Sequence, residues 1–216
     1  MAGCLKCGDT GITVLGEVCT CGAKRDFALP LCLNVPVQYQ GVRFAIEFID
    51  EELRYTYGEF MRKLLVDCTE HLGQFHKNYI ICAPPNSGKT IWAYTVYGLL
   101  FAKGVQVPEI MDLMQVREIF LDYYNKDQQE LERLSTAPLA VIKLPWDLPN
   151  RFPETISTIV ERRVRANGST IFLFDGTQQE LLARDTFGKL KLLSGDGSYN
   201  SVCIKSWWKG GDKNDA

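Results

Sequence analysis

A chain of 216 residues has room for one full α/β domain and a small appendage, and excludes two large independent cores. With 46% hydrophobic and 23% charged residues the composition excludes a long disordered or fibrous protein, and no apolar run approaches the roughly 18 residues that a membrane-spanning helix needs. A net charge of -2 gives no global attraction to nucleic acid or an anionic membrane, so any such contact requires a local basic patch.

The start, Met1-Ala2-Gly3-Cys4, lacks the basic-then-apolar pattern of a signal peptide, which predicts a cytoplasmic protein. In a reducing cytosol the eight cysteines point to metal ligation or buried thiols, not disulfides. The first four form Cys4-x-x-Cys7 and Cys19-x-Cys21 around a short ribbon-like stretch. Two tight turns presenting paired thiolates suit tetrahedral Zn²⁺, and metal binding supplies folding free energy that so small a segment lacks. A redox pair or unligated thiols are the alternatives. Cys32, Cys68, Cys82 and Cys203 lie in apolar surroundings and read as buried filler. These features divide the chain into a zinc-binding module at 1–27, a linker arm at 28–50 broken by Pro30 and Pro36, and a main domain at 51–216.

Glu51 to Phe75 reads as a helix, with Leu53, Tyr57, Phe60, Met61, Leu64, Leu65 and Cys68 forming one buried stripe. From Asn78 onward, short apolar runs alternate with helical segments, which predicts a parallel sheet wrapped by helices. Asn78 to Ala83 is the first strand, and Thr90 to Lys103 a helix closed by Gly104. Val105 to Val107 reads as a short second strand and Met111 to Tyr124 as a helix, followed by a solvated helix or loop over Asn125 to Arg133. Leu139 to Leu144 is a buried strand stopped by Pro145. Pro153 to Arg165 is a helix ending at Asn167-Gly168, Ser169 to Phe174 another buried strand, Leu181 part of a short helix, and Ser201 to Trp208 a final strand.

Between the first strand and its helix, Ala83-Pro84-Pro85-Asn86-Ser87-Gly88-Lys89-Thr90 fits the phosphate-loop pattern G-x-x-x-x-G-K-[ST] except at its first glycine. In such a loop, here Pro84-Pro85-Asn86-Ser87-Gly88, the backbone N–H groups of its non-proline residues and of the helix start cradle phosphate oxygens. Lys89 neutralises the β and γ phosphates of ATP or ADP, and Thr90 offers a hydroxyl to Mg²⁺. Alanine at position 83 costs one end of the loop its freedom to adopt positive φ. Hydrolysis also calls for an acid at the end of a later buried strand, yet Leu139-Ala140-Val141-Ile142 runs into Lys143-Leu144, and the nearest acid is Asp147. Either Asp147 swings back to serve the metal, or the chain binds nucleotide and hydrolyses it slowly or not at all; the sequence favours the second.

Taken as an ordered set, these segments resemble the DnaC and IstB-like branch of AAA+ ATPases. The likeness is carried by Cys4-Leu5-Lys6-Cys7 with Cys19-Thr20-Cys21, by Asn34-Val35-Pro36-Val37-Gln38-Tyr39 ahead of the core, and by the phosphate loop. Ile159-Val160-Glu161-Arg162-Arg163 and Ser169 to Asp175 complete it. The resemblance implies an AAA+/RecA-like P-loop fold and a helicase loader in DNA replication. Its cofactors would be ATP or ADP, Mg²⁺ and Zn²⁺, and its partners a DnaB-type hexameric replicative helicase, single-stranded DNA and further copies of itself. It implies catalytic roles for Lys89, Asp147 and Asp175, the last at the family's sensor asparagine. The missing acidic pair suits a divergent, phage-encoded loader whose nucleotide is a structural ligand. Two other functions stay open, a hydrolysis-deficient replisome adaptor and an IstB-like transposition helper. Arg162 and Arg163 read either as contacts to a neighbouring subunit's phosphates or as a solvated face. Lys189, Lys191, Lys205 and Trp207-Trp208 are weak candidates for DNA contact, and for the tryptophans core or strand packing is the favoured reading.

Overall fold

The computed structural model describes residues 35–39, 44–121, 128–148, 152–185, 190 and 201–207. The cysteine module at 1–27, residues 28–34 and 40–43 of the linker arm with Cys32, Lys189, Lys191 and Trp208 lie outside them. Short 3-10 turns at Val37–Tyr39 and Ile46–Phe48 lead into the first helical stretch. The helix expected from Glu51 to Phe75 is segmented: an α turn at Glu51–Leu53, a π segment at Arg54–Gly58, then α1 at Glu59–Glu70 and a 3-10 turn at Leu72–Gln74. Gly58, the last residue of the π segment, sits where another part of the chain passes close; a Cβ at this position would lie 3.2 Å from Ile49 Cδ1. The apolar stripe is as the sequence indicates. Tyr57, Met61, Leu64 and Cys68 are buried, with Leu53, Phe60 and Leu65 packed against the same core.

The remaining elements are β1 Asn78–Cys82, α2 Lys89–Ala102, β2 Met111–Asp112, α3 Leu113–Leu121, α4 Gln128–Thr136, β3 Leu139–Leu144, α5 Phe152–Arg165, β4 Ser169–Phe174, α6 Gln178–Ala183 and β5 Val202–Ser206. All five strands run parallel in the order β2-β3-β4-β1-β5. Parallel strands covered by helices on both faces read as nearly continuous apolar runs, and the alternation divides their side chains between two cores. Ile81, Leu139, Val141, Ile171 and Leu173 pack with α1 and α2. Ile80, Ala140, Ile142, Leu144, Phe172 and Phe174 pack with α3, α5 and α6. Among the described residues no helix is long and apolar enough to cross a membrane.

The second strand departs from expectation. Val105 to Val107 is irregular, because Gly104 at φ 77 closes α2 with Val105 N–H bonded to Leu100 O at 3.1 Å, so Val105 completes a helix cap. The strand falls instead at Met111–Asp112, inside the segment expected to be helical, where register with Ile142 and Lys143 of β3 captures it. Asp112 then starts α3, its Oδ1 accepting from Gln115 N–H at 2.8 Å.

One residue before β2 begins to pair, the buried N–H of Val141 donates to the hydroxyl of Tyr97 on α2 at 2.7 Å. Tyr97 is fully buried, which pushes its pKa up. Tyr97→Phe is expected to leave that amide without an acceptor and to lower stability by roughly 1–3 kcal/mol in a urea titration.

Candidate functional site

The carboxyl ends of β1 and β4 lie side by side, and the loop leaving β1 crosses that edge. Ala83 N–H is bonded to Phe174 O at 3.3 Å, continuing the ladder past β1, and Ser87 N–H to Pro84 O at 3.3 Å closes a tight turn. The left-handed positions are Asn86 at φ 62 and Gly88 at φ 84. Ala83 is not among them, so the alanine carries no strain and the concession expected there is not made. Asparagine tolerates this conformation better than other non-glycine residues. Gly88 lies against Phe44, to whose ring an added Cβ would stand at 3.6 Å. Phe44 N–H in turn donates to Thr95 Oγ1 of α2 at 2.8 Å, so the end of the linker arm is docked on the helix that the loop feeds. Gly88→Ala is expected to cost about 1–2 kcal/mol in chemical denaturation, from backbone strain and not from crowding.

Lys89 opens α2 and folds back under the loop with 5% of its surface exposed. Its ammonium donates to Ala83 O at 2.9 Å, Pro84 O at 2.6 Å and Ser87 Oγ at 3.1 Å, and pairs with Asp175 Oδ1 at 2.6 Å. Burial lowers the pKa of this ammonium, and the bond to Asp175 opposes that shift. Asp175 follows β4 directly and is itself exposed. Beneath the loop, Ser87 Oγ donates to the buried Tyr57 hydroxyl at 3.4 Å. Among the described residues no acceptor is bonded to the N–H groups of Gly88, Lys89 and Thr90. Unbonded backbone donors at a helix start, with an ammonium in the same loop, are the groups from which anion sites are built.

Across the sheet, Lys143 of β3 is registered opposite Leu173 of β4 and half-buried. Its ammonium sits 6.0 Å from the centre of the Tyr39 ring, and Tyr39 stacks on Tyr94 of α2 at 5.3 Å. Burial lowers its pKa, opposed by the carboxylates of Asp175 and Asp112. Asp147 is exposed in the loop after β3. Among the described residues no hydrogen bond or ion pair joins it to Lys89 or Thr90. Its neighbour Trp146 lies parallel to Phe174, under the guanidinium of Arg184, which also donates to the Trp146 carbonyl.

Several sequence candidates fall elsewhere. Arg163 is neither a solvated residue nor a surface contact. It is fully buried, donating from Nε to Thr170 Oγ1 at 2.9 Å, from Nη2 to Ala137 O and Ser169 O at 2.8 Å each, and from Nη1 to Leu134 O. Trp207 packs against Tyr57 and Phe60, with its backbone N–H on Cys82 O, so it lies partly buried against the core as strand packing would have it. Lys205 is exposed on β5. Cys68 and Cys82 are buried thiols whose pKa values burial pushes up, Cys82 to about 12, whereas Cys203 is exposed and is not core filler. Cys4, Cys7, Cys19 and Cys21 lie outside the described residues, and among the described ones no group of three or more His, Cys, Asp or Glu could hold a metal ion. Sequence reasoning missed the parts played by Tyr57 and Phe44. Tyr57 carried a signal, as the one stripe residue with a hydroxyl to satisfy when buried.

No protein-family model matches the sequence, and no curated protein matches it. Solved structures do share the fold. A crystal structure of the DnaC helicase loader is 16% identical, with a TM-score of 0.53, covering 78% of this chain and 99% of that one. A protein described as a primosome component from Streptococcus pyogenes serotype M3 is 14% identical, with a TM-score of 0.55, over 81% of this chain and 91% of that one. The structure of DnaI is 14% identical, with a TM-score of 0.50, over 81% and 93%.

Proposed function

We propose that this protein is a nucleotide-binding helicase loader. It takes ATP or ADP on the loop from Pro84 to Thr90, engages a DnaB-type hexameric replicative helicase, and helps to place that helicase on single-stranded DNA. The observation that carries this reading is the loop itself. Asn86 and Gly88 in left-handed conformation turn the chain from a central parallel strand into α2 and leave the amides of Gly88, Lys89 and Thr90 beside the Lys89 ammonium. Likeness of fold to the DnaC helicase loader and to a described primosome component supports the choice of partner. Helicase, single-stranded DNA and further copies of this chain are the partners to test. Thr90 supplies a hydroxyl that a Mg²⁺ ion accompanying the nucleotide can use.

A second reading, a replisome adaptor that binds nucleotide without turnover, is favoured by one observation: β3 ends in Lys143-Leu144, with no carboxylate in the strand, and Asp175 is engaged by Lys89. Co-sedimentation with the host's replicative helicase, together with ATPase assay with and without single-stranded DNA, separates the readings. A complex with DNA-stimulated turnover supports the loader, and a nucleotide-dependent complex without turnover supports the adaptor. Capture of a transposase and no helicase overturns both in favour of a transposition helper.

The spacing of Cys4, Cys7, Cys19 and Cys21 supports a zinc-bound arm ahead of this core. The purified chain is expected to carry about one zinc per molecule, read by elemental analysis, and Cys4→Ser with Cys7→Ser to lose it. Metal-free wild-type protein purified without chelator contradicts the zinc arm.

A further inference from the structure

The Mg²⁺ chemistry usual for a phosphate loop asks for a carboxylate at the end of a buried strand beside it, holding the ion through water. Thr90 meets its share of that requirement, but the acids do not. Lys143-Leu144 closes β3, Asp147 stands exposed on a loop pinned by Trp146, and Asp175 has one oxygen on the Lys89 ammonium. A second cation occupies the place instead. Alternation along β3 puts Lys143 on the same face as Leu139 and Val141, the face that α2 covers, at the carboxyl edge where the loop lies. Tyr39, stacked on Tyr94 of α2, keeps the ammonium between β3 and that helix.

The charges agree with this placement. Lys89 is paired with Asp175, and the carboxylates of Asp175 and Asp112 both act on Lys143, so two ammonium groups and two carboxylates leave the edge close to neutral. Asp112 keeps its charge while its Oδ1 accepts from the N–H of Gln115, and without Lys143 the two carboxylates would outweigh Lys89. A carboxylate at position 143 would turn the sum negative, and a polyphosphate would then need a divalent ion to approach.

The geometry points to Lys143 as a fixed cation of the phosphate site, standing where a carboxylate would hold Mg²⁺, so that the loop does not require a divalent ion to take ATP. This inference rests on the reading of the loop as a nucleotide site.

Titration calorimetry of the full chain with ATP, in Mg²⁺ and again in EDTA, tests it. The wild type is expected to bind with affinities that agree within about threefold in the two buffers. Lys143→Asp is expected to weaken binding in EDTA roughly tenfold or more and to regain most of the loss in Mg²⁺. Lys143→Met, which keeps the apolar stem, is expected to weaken both, and thermal melts check that each variant is folded. Wild-type binding that tightens tenfold with Mg²⁺, or variants whose affinity in EDTA is unchanged, overturns the role of Lys143 while leaving the nucleotide site intact. Absence of binding in both buffers overturns the nucleotide site and the inference with it.

Discussion

Lys89→Met is expected to lower the affinity for ATP about a hundredfold while leaving a folded protein. The ammonium is the one cation inside the loop, in contact with Ala83 O, Pro84 O, Ser87 Oγ and Asp175 at 2.6 to 3.1 Å. A phosphate oxygen displaces the three neutral acceptors by offering charge, and shares the ammonium with the exposed Asp175 carboxylate. Charge-assisted bonds of this kind contribute about 1.5–3 kcal/mol, and about 2.7 kcal/mol is a hundredfold in affinity. Methionine keeps the length and apolar stem, so the interior stays filled. Asp175 is 60% exposed and returns to water when its partner goes. Calorimetry gives the affinity and a urea titration the stability; a large loss of stability would mean that the ammonium holds the loop together and is not chiefly a ligand for anions.

Arg163→Met is expected to have the reverse signature, a loss of roughly 3–5 kcal/mol in stability with ATP affinity unchanged in the protein that remains folded. The guanidinium ties together the end of α4, the turn into β3 and the start of β4 through Leu134 O, Ala137 O, Ser169 O and Thr170 Oγ1. Removing it strands acceptors in a region that water does not reach. Ser169 and Thr170 begin β4, whereas the phosphate loop meets its opposite end at Phe174, so the effects on stability and binding separate along one strand. The same junction fixes Gly168, where a Cβ would lie 2.8 Å from Ala137 O and 3.0 Å from Arg163 Nη2. Equilibrium unfolding in urea checks the first half of the prediction, and calorimetry on the variant checks the second.

The parts of the fold legible in the sequence were those set by local pattern. β1, β3 and β4 stand out because strands buried on both faces must be apolar throughout. The ends of α2 and α5 stand out because Gly104 and Asn167 take the left-handed conformation at which helices close. β2 was not legible. Two residues carry no periodicity, and register against Ile142 and Lys143 selects Met111–Asp112 over the more apolar Val105 to Val107. Arg163 was misread by its neighbours in a charged run, although its spacing from Ile159 and Val160 puts it on the buried stripe of α5 with Ile156 and Val164. Of the site, the loop and Lys89 were legible from the motif. The pairing of Lys89 with Asp175 was not, because it depends on β4 lying next to β1, and neither was the docking of Phe44 on Gly88 and Thr95.

Whether a triphosphate sits on this loop at all is read most directly from thermal melts of the wild-type chain with and without ATP. A ligand at about a hundred times its dissociation constant stabilises the folded state by about 2.7 kcal/mol, which raises the melting temperature by about 5 °C or more for a chain of this size. The expected result is such a rise with ATP, absent with adenosine. An unchanged melting temperature at millimolar ATP would contradict the nucleotide site, and with it the loader built upon it.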